Sequence, residues 1–179
     1  MTNQTVIAPE RAIVFVDAMN LYESLGTLKI NTNIDYYKFA LKLAGQHRRL
    51  IRSYVYTGAY DQTRERDKYA AQMRFFNRVQ RMGFVTLKTR PLVLRGGALL
   101  QKGVDTLIAT DMVTMAFLNH DDVSILVSGD GDLAPAVDAV KAAGKQVIVA
   151  AFTRSRSTAI SNSADQEIRL DSSFLSDCY

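Results

Sequence analysis

Two short strings hold the acidic residues best placed for chemistry. Asp17-Ala18-Met19-Asn20 follows the apolar run Ala12 to Val16. Ser128-Gly129-Asp130-Gly131-Asp132 follows the apolar run Val123 to Val127. Between them in sequence, Lys102-Gly103-Val104-Asp105 opens a helical pattern. In an open parallel sheet, ligands bind beyond the carboxyl ends of strands, where strand order reverses. If the two strands are neighbours there, Asp17, Asp130 and Asp132 converge, and Asp105 joins from the helix start. Clustered carboxylates repel one another, so a cation must sit among them or some must hold a proton. An all-oxygen donor set selects a hard ion, Mg²⁺ or Mn²⁺. Such an ion positions water and stabilises charge on a phosphodiester oxygen during in-line attack. Gly129 and Gly131 are expected to let the backbone turn tightly and present both aspartates on one side.

Each feature has a plainer reading. Asp17, Asn20 and Asp105 are residue types that cap helices, and Ser-Gly-Asp-Gly-Asp is ordinary turn composition. Their joint occurrence at strand ends of one sheet favours a site. Asp111 differs, because it lies on the spacing Val104, Leu107, Ile108, Asp111, Met115, Leu118, the expected apolar face of its helix. A carboxylate there needs a partner. Two readings stay open: Asp111 reaches the same acidic site, or it pairs with a buried donor such as Ser128 or a backbone amide. Other chemistries fit less well. The third glycine of a dinucleotide loop is missing, no P-loop lysine motif is present, and neither histidine sits beside a nucleophile pattern. A haloacid-type phosphatase needs a second aspartate at the position held by Met19.

The elements that must position these residues alternate. Strands are expected over Ala12–Val16, Leu50–Tyr56, Phe84–Lys88, Val123–Val127, Gln146–Ala150 and Glu167–Leu170. Helices are expected from Asn20, over Ile34–Ala44 with Asp35 in the first turn, and over Arg64–Met82 closed by Gly83. Further helices are expected over Val104–Leu118, Leu133–Ala143 ended by Gly144, and Ser155–Ser163. Pro91–Leu100 reads as an irregular hairpin turning at Gly96-Gly97. Strands separated by helices imply βαβ units, hence an α/β fold with a mostly parallel sheet covered on both faces.

The chain has 179 residues, 47% hydrophobic and 22% charged, which is ordinary globular composition and suits one domain. No apolar run is long enough to span a bilayer, and the first residues lack the pattern of an export leader. The lone Cys178 rules out an internal disulfide framework and fits a reducing, cytoplasmic setting. With His47 and His120 as the only other candidates, a Cys/His zinc site is not expected. Charge is uneven: residues 42–95 hold 13 Lys/Arg against 3 Asp/Glu, and residues 103–179 hold 5 against 11. A basic middle beside an acidic C-terminal half suggests a polyanion surface near a carboxylate cluster.

VFVDAMNLY, QKGVDTLIATDM and LVSGDGDLAPAVDAVKAAGKQVIV, in this order, resemble the NYN domain proteins of the LabA-like group within the PIN-like nuclease superfamily. The resemblance runs from about Ala12 to about Asp171 and includes the late Asn162-Ser163-Ala164-Asp165. It implies a three-layer α/β/α PIN-like fold, an acidic site for a divalent metal, and cleavage of RNA. By motif, Asp17, Asn20, Asp105, Asp111, Asp130 and Asp132 match the family's site positions. Ala18 stands where glycine is usual, and Leu133 where an aromatic residue is usual.

The leading expectation is a metal-dependent ribonuclease. Asp17, Asp105, Asp130 and Asp132 would hold Mg²⁺ or Mn²⁺, with Asp111 a further candidate. Asn20 would orient Asp17 or a bound water, and Lys102 would approach a phosphate. Arg48, Arg49, Arg52, Arg74, Arg78, Arg90 and Arg95 are candidates for an RNA backbone track, as are Arg64, Arg66, Lys68 and Arg81. Tyr56 and Tyr60 are candidates for stacking single-stranded bases or for core packing. The rival readings are a non-catalytic regulatory module of the same fold that binds RNA or protein, and a phosphatase acting on small esters. An apolar surface on the final helix and strand would support a homodimer.

Overall fold

A computed structural model describes residues 8–179. Most of the N-terminal stretch read above as lacking a leader lies outside the described residues. The chain runs β1 (Glu10–Asp17), α1 (Ala18–Thr27), α2 (Tyr36–Ala44), β2 (Arg48–Ala59), α3 (Arg66–Gln80), β3 (Val85–Pro91), β4 (Val93–Arg95) and β5 (Ala98–Leu100). It continues with α4 (Val104–Phe117), β6 (Val123–Val127), a 3-10 turn over Gly131–Leu133, α5 (Ala134–Ala142), β7 (Gln146–Phe152), α6 (Thr158–Ser163) and β8 (Gln166–Leu170).

Six strands form one sheet in the order β3-β2-β1-β6-β7-β8, with every neighbouring pair parallel. The chain first steps outward from β1 through β2 to β3, then returns to β6 on the other side of β1. Strand order therefore reverses between β1 and β6. Val16 pairs with Val127 in register, so Asp17 and Ser128 leave the sheet side by side.

Both sheet faces are covered, which explains why β1 and β6 read as unbroken apolar runs. Ala12, Val14 and Val16 pack with Leu21 and Leu25 of α1, Phe39 and Leu43 of α2 and Val79 of α3. Ile13 and Phe15 point the other way, to Ile108 and Met112 of α4, Val137 and Val140 of α5 and Ile160 of α6. This is the three-layer α/β/α arrangement expected. Gly96 and Gly97 take φ of 59° and 82° and turn the β4–β5 hairpin where expected.

Four local readings need correction. The buried stripe of α4 is Val104, Ile108, Met112 and Ala116; Leu118 is largely exposed. Apolar residues occupy several faces of this helix, so spacing alone permits two stripes. Asp35 is the N-cap of α2, accepting from Tyr37 and Lys38, instead of lying in its first turn. Gly83 does not close α3: Arg81 is the C-cap, and Phe84 takes the left-handed φ of 58° with its ring stacked on Tyr37. The exposed large hydrophobics include Val93, Leu94 and Leu100 on the hairpin and Phe117 and Leu118 at the end of α4. None belongs to α6 or β8, where a dimer surface was expected. No helix among the described residues is long and apolar enough to cross a membrane.

Candidate active site

Asp17 is the last residue of β1 and the N-cap of α1. Its Oδ1 accepts from the backbone N–H groups of Met19 and Asn20, both at 3.1 Å. The capping reading is thus correct, but it uses one oxygen. Asn20 holds Asp17 through its backbone N–H, and its side chain bonds elsewhere. Its Oδ1 accepts from Gly129 N–H at 3.1 Å, tying the first turn of α1 to the loop that carries Asp130.

That loop is shaped by local bonds. Asp130 caps the 3-10 turn, its Oδ1 accepting from Asp132 N–H at 2.9 Å, and Ser128 Oγ accepts from Asp130 N–H. The glycines serve packing, because neither takes a positive φ. A Cβ on Gly129 would stand 2.0 Å from the Ser155 carbonyl oxygen, and one on Gly131 would stand 2.7 Å from Ser157 Oγ. The Ser157 N–H donates to Gly129 O at 2.9 Å, so the segment after β7 lies directly against the loop. Asp105 sits in the first turn of α4, whose N-cap is Gly103 with φ 77°. It is therefore not a cap.

These carboxylates sense one another. Asp17 is 4% exposed, and burial pushes its pKa up to about 6; the N–H groups of Asn20 and Met19 oppose this, and the charges of Asp105 and Asp130 add to it. Asp105 is also raised, first by burial and then by Asp130 and Asp132. Crowded acids of this kind are stabilised by a bound cation, and an oxygen-only set suits Mg²⁺ or Mn²⁺. Among the described residues, however, no three His, Cys, Asp or Glu side chains stand close enough to share one ion. The donor chemistry fits a divalent ion, and the side chains would have to draw together around it.

Asp111 stands apart. It accepts from Lys88 Nζ at 2.5 Å and from Tyr56 Oη at 2.7 Å, so its partner is neither Ser128 nor a backbone amide. Six residues at ~1.5 Å rise place it about 9 Å along α4 from Asp105. Tyr56 is fully buried, and burial together with the Asp111 bond pushes its phenol pKa up. Of the two tyrosine roles considered, Tyr56 is core.

The basic residues are spread over the molecule. Arg48 and Arg49 open β2 at the opposite end of the sheet, where Arg48 bonds Glu10 at 3.1 Å. Eight residues at ~3.3 Å separate Arg48 from Tyr56, the register partner of Asp17, a distance of about 26 Å. Neither arginine can serve a phosphate at the acidic residues. Arg52 lies mid-strand and donates to Thr86 Oγ1. Arg74 is exposed on α3, Arg78 donates to Asn33 Oδ1, Arg90 lies near the end of β3, and Arg95 is on the hairpin. Lys102 is exposed beside Gly103.

Lys29, Arg154 and Arg169 are basic residues that no sequence motif marks. A hollow of about 190 Å³ between Asn20 and Arg154 adjoins one of about 690 Å³ bordered by Lys29, Arg154, Arg169 and Asp171. The rule that looked beyond β1 and β6 finds Arg154 when applied to β7, which ends at Phe152.

A parallel sheet whose strand order reverses beside aspartates, with helices on both faces, is a doubly wound α/β/α domain, an architecture that PIN-like domains share. The chain belongs to the NYN domain family, which it matches over residues 11–171. It also resembles a crystal structure from Vibrio parahaemolyticus RIMD 2210633, the protein of unknown function VPA0982. The identity is 24%, with a TM-score of 0.68, covering 96% of this chain and 97% of that one. That likeness is one of fold. No curated protein matches the sequence.

Proposed function

We propose that this chain is a cytoplasmic, LabA-like ribonuclease that hydrolyses RNA phosphodiester bonds with Mg²⁺ or Mn²⁺ at Asp17, Asp105, Asp130 and Asp132. The observation that carries this reading is the position of these acids at the β1–β6 reversal, with the Asp17 pKa raised first by burial and further by the charges of Asp105 and Asp130. When bound, the ion supplies charge stabilisation for the phosphate and a more acidic water. The protein's own part is positional. Asp17 Oδ1 holds α1 in place, leaving the other oxygen for the ion. Asn20 keeps the Asp130 loop against α1. Lys102 offers its charge to a phosphate beside Asp105. Water attacks phosphorus in line and the 3′ oxygen leaves, giving a 5′-phosphate and a 3′-hydroxyl.

The rival reading, a non-catalytic RNA- or protein-binding module, draws on the absence of any acidic trio already set to share an ion. Labelled single-stranded RNA incubated with Mn²⁺, Mg²⁺ or EDTA separates the two. The ribonuclease reading expects cleavage with metal, none with EDTA, and none from Asp17→Asn or Asp130→Asn. RNA that binds and stays intact with either metal points to the binding module.

A further inference from the structure

We propose that the groove between α1 and α3 binds an unpaired nucleobase of single-stranded RNA, next to the acidic residues. The choice of RNA rests on the ribonuclease reading; the groove's own chemistry argues for the base. It encloses about 420 Å³ and begins at Ala18 and Met19, the two residues after Asp17. Its other wall includes Thr57, which follows the register partner of Asp17 in β2. A strand crossing the acidic residues on this side therefore meets the groove immediately.

Four aromatic residues line it: Tyr22, Tyr36, Tyr60 and Phe75. Tyr22 is 59% exposed, which core packing does not explain. Tyr60 is held by Gln72 of α3, whose Oε1 accepts from Tyr60 N–H at 2.9 Å while its Nε2 donates to Gly58 O at 2.7 Å. Two cations lie over aromatic faces: Lys68 Nζ is 5.7 Å from the Tyr60 centroid, and the Arg78 guanidinium is 5.9 Å from that of Phe75. No acidic side chain lines the groove. Glu65, which pairs with Lys68 at 3.3 Å, lies outside the lining. Aromatic platforms beside cations, Lys68 shared with Glu65 at the rim and Arg78 bonded only to the neutral Asn33, suit a base with its attached phosphate.

The test uses the full chain in EDTA, so that binding is read without cleavage. Fluorescence anisotropy follows a labelled single-stranded RNA and, in parallel, a duplex RNA of the same length. Tyr22→Ala and Tyr60→Ala are each expected to weaken single-strand binding roughly tenfold and to leave duplex binding unchanged. Tyr60→Phe is expected to keep the affinity, because it keeps the ring. The exposed Tyr22 guards against misfolding as an explanation, with the melting temperature measured alongside. Unchanged single-strand affinity in both alanine variants overturns the proposal. So does an equal loss for both RNAs, or failure of the unaltered chain to bind the single strand. Cleavage is then assayed separately with Mn²⁺. If RNA is never cut but the tyrosine effects appear, the groove stands and the ribonuclease reading falls. If RNA is cut and neither alanine variant changes Kd or KM, the groove falls and the ribonuclease reading stands.

Discussion

Asp17 is a helix cap through one carboxylate oxygen and a buried charge with acidic neighbours, and this has a measurable consequence. Oδ1 caps α1, while the raised pKa records chiefly the cost of burying the charge, to which repulsion from Asp105 and Asp130 adds. Removing one of the neighbouring charges relieves that repulsion. Asp130→Asn can still cap the 3-10 turn through its side-chain carbonyl, so the metal-free variant is expected to keep or raise its melting temperature. The same change removes a proposed metal ligand and is expected to lower RNA hydrolysis on the order of a hundredfold or more. Calorimetry and a cleavage assay on one preparation check both. A clear fall in melting temperature would mean that the Asp130 charge stabilises the metal-free fold and that no repulsion was relieved. Asp111 predicts the reverse pattern. Its side chain is 15% exposed and compensates Lys88. Asp111→Asn is therefore expected to cost about 1–3 kcal/mol in urea unfolding while leaving hydrolysis within a few-fold of the unaltered chain.

At the scale of elements, the close fit of the segment after β7 against the loop after β6 sets what each position tolerates. A Cβ on Gly129 would meet backbone, so Gly129→Ala is expected to destabilise by about 1–3 kcal/mol, read from urea midpoints. At the opposite end of the sheet, Arg11 grips Asp122 through its backbone N–H, Nε and Nη2, joining the starts of β1 and β6. The Arg11 side-chain hydrogen bonds hold the Asp122 pKa down at about 2. A depressed carboxylate contributes stability above its ordinary pKa and loses it as pH falls from about 4 toward 2. The pair is partly exposed, so the effect stays below about 1 kcal/mol. Asp122→Asn is expected to flatten stability over that window in acid titration of the folded fraction. The strands were legible because burial on both faces leaves continuous β-branched runs such as VSILV. The placement of Asp17 and of the Asp130 loop side by side was legible because both follow apolar strands that proved to be neighbours at the reversal. Three features were hidden because each depends on contacts distant in sequence. The buried stripe of α4 was settled by its neighbours, the glycines at 129 and 131 by Ser155 and Ser157, and Asp111 by Lys88 on β3.

For the whole molecule, position decides which charges matter. The basic segment 42–95 is continuous in sequence, yet β2 carries it from one end of the sheet to the other. Arg48 is occupied by Glu10 at the end remote from the acidic residues, whereas Lys102 and Arg154 lie at the end that holds them. Single-stranded nucleic acid releases about 0.7 counterion for each phosphate neutralised, and the release appears as the slope of log affinity against log salt. Lys102→Gln and Arg154→Gln are each expected to lower that slope by roughly 0.7 and to weaken binding without altering sequence preference. Arg48→Gln is expected to leave slope and affinity unchanged. Anisotropy titrations of one labelled RNA over a series of KCl concentrations, in EDTA, measure all three. If Arg48→Gln lowers the slope as much as Lys102→Gln, the RNA is held by diffuse net charge instead of a path to the acidic residues. Proximity of these cations to the β1–β6 reversal would then count for nothing in binding.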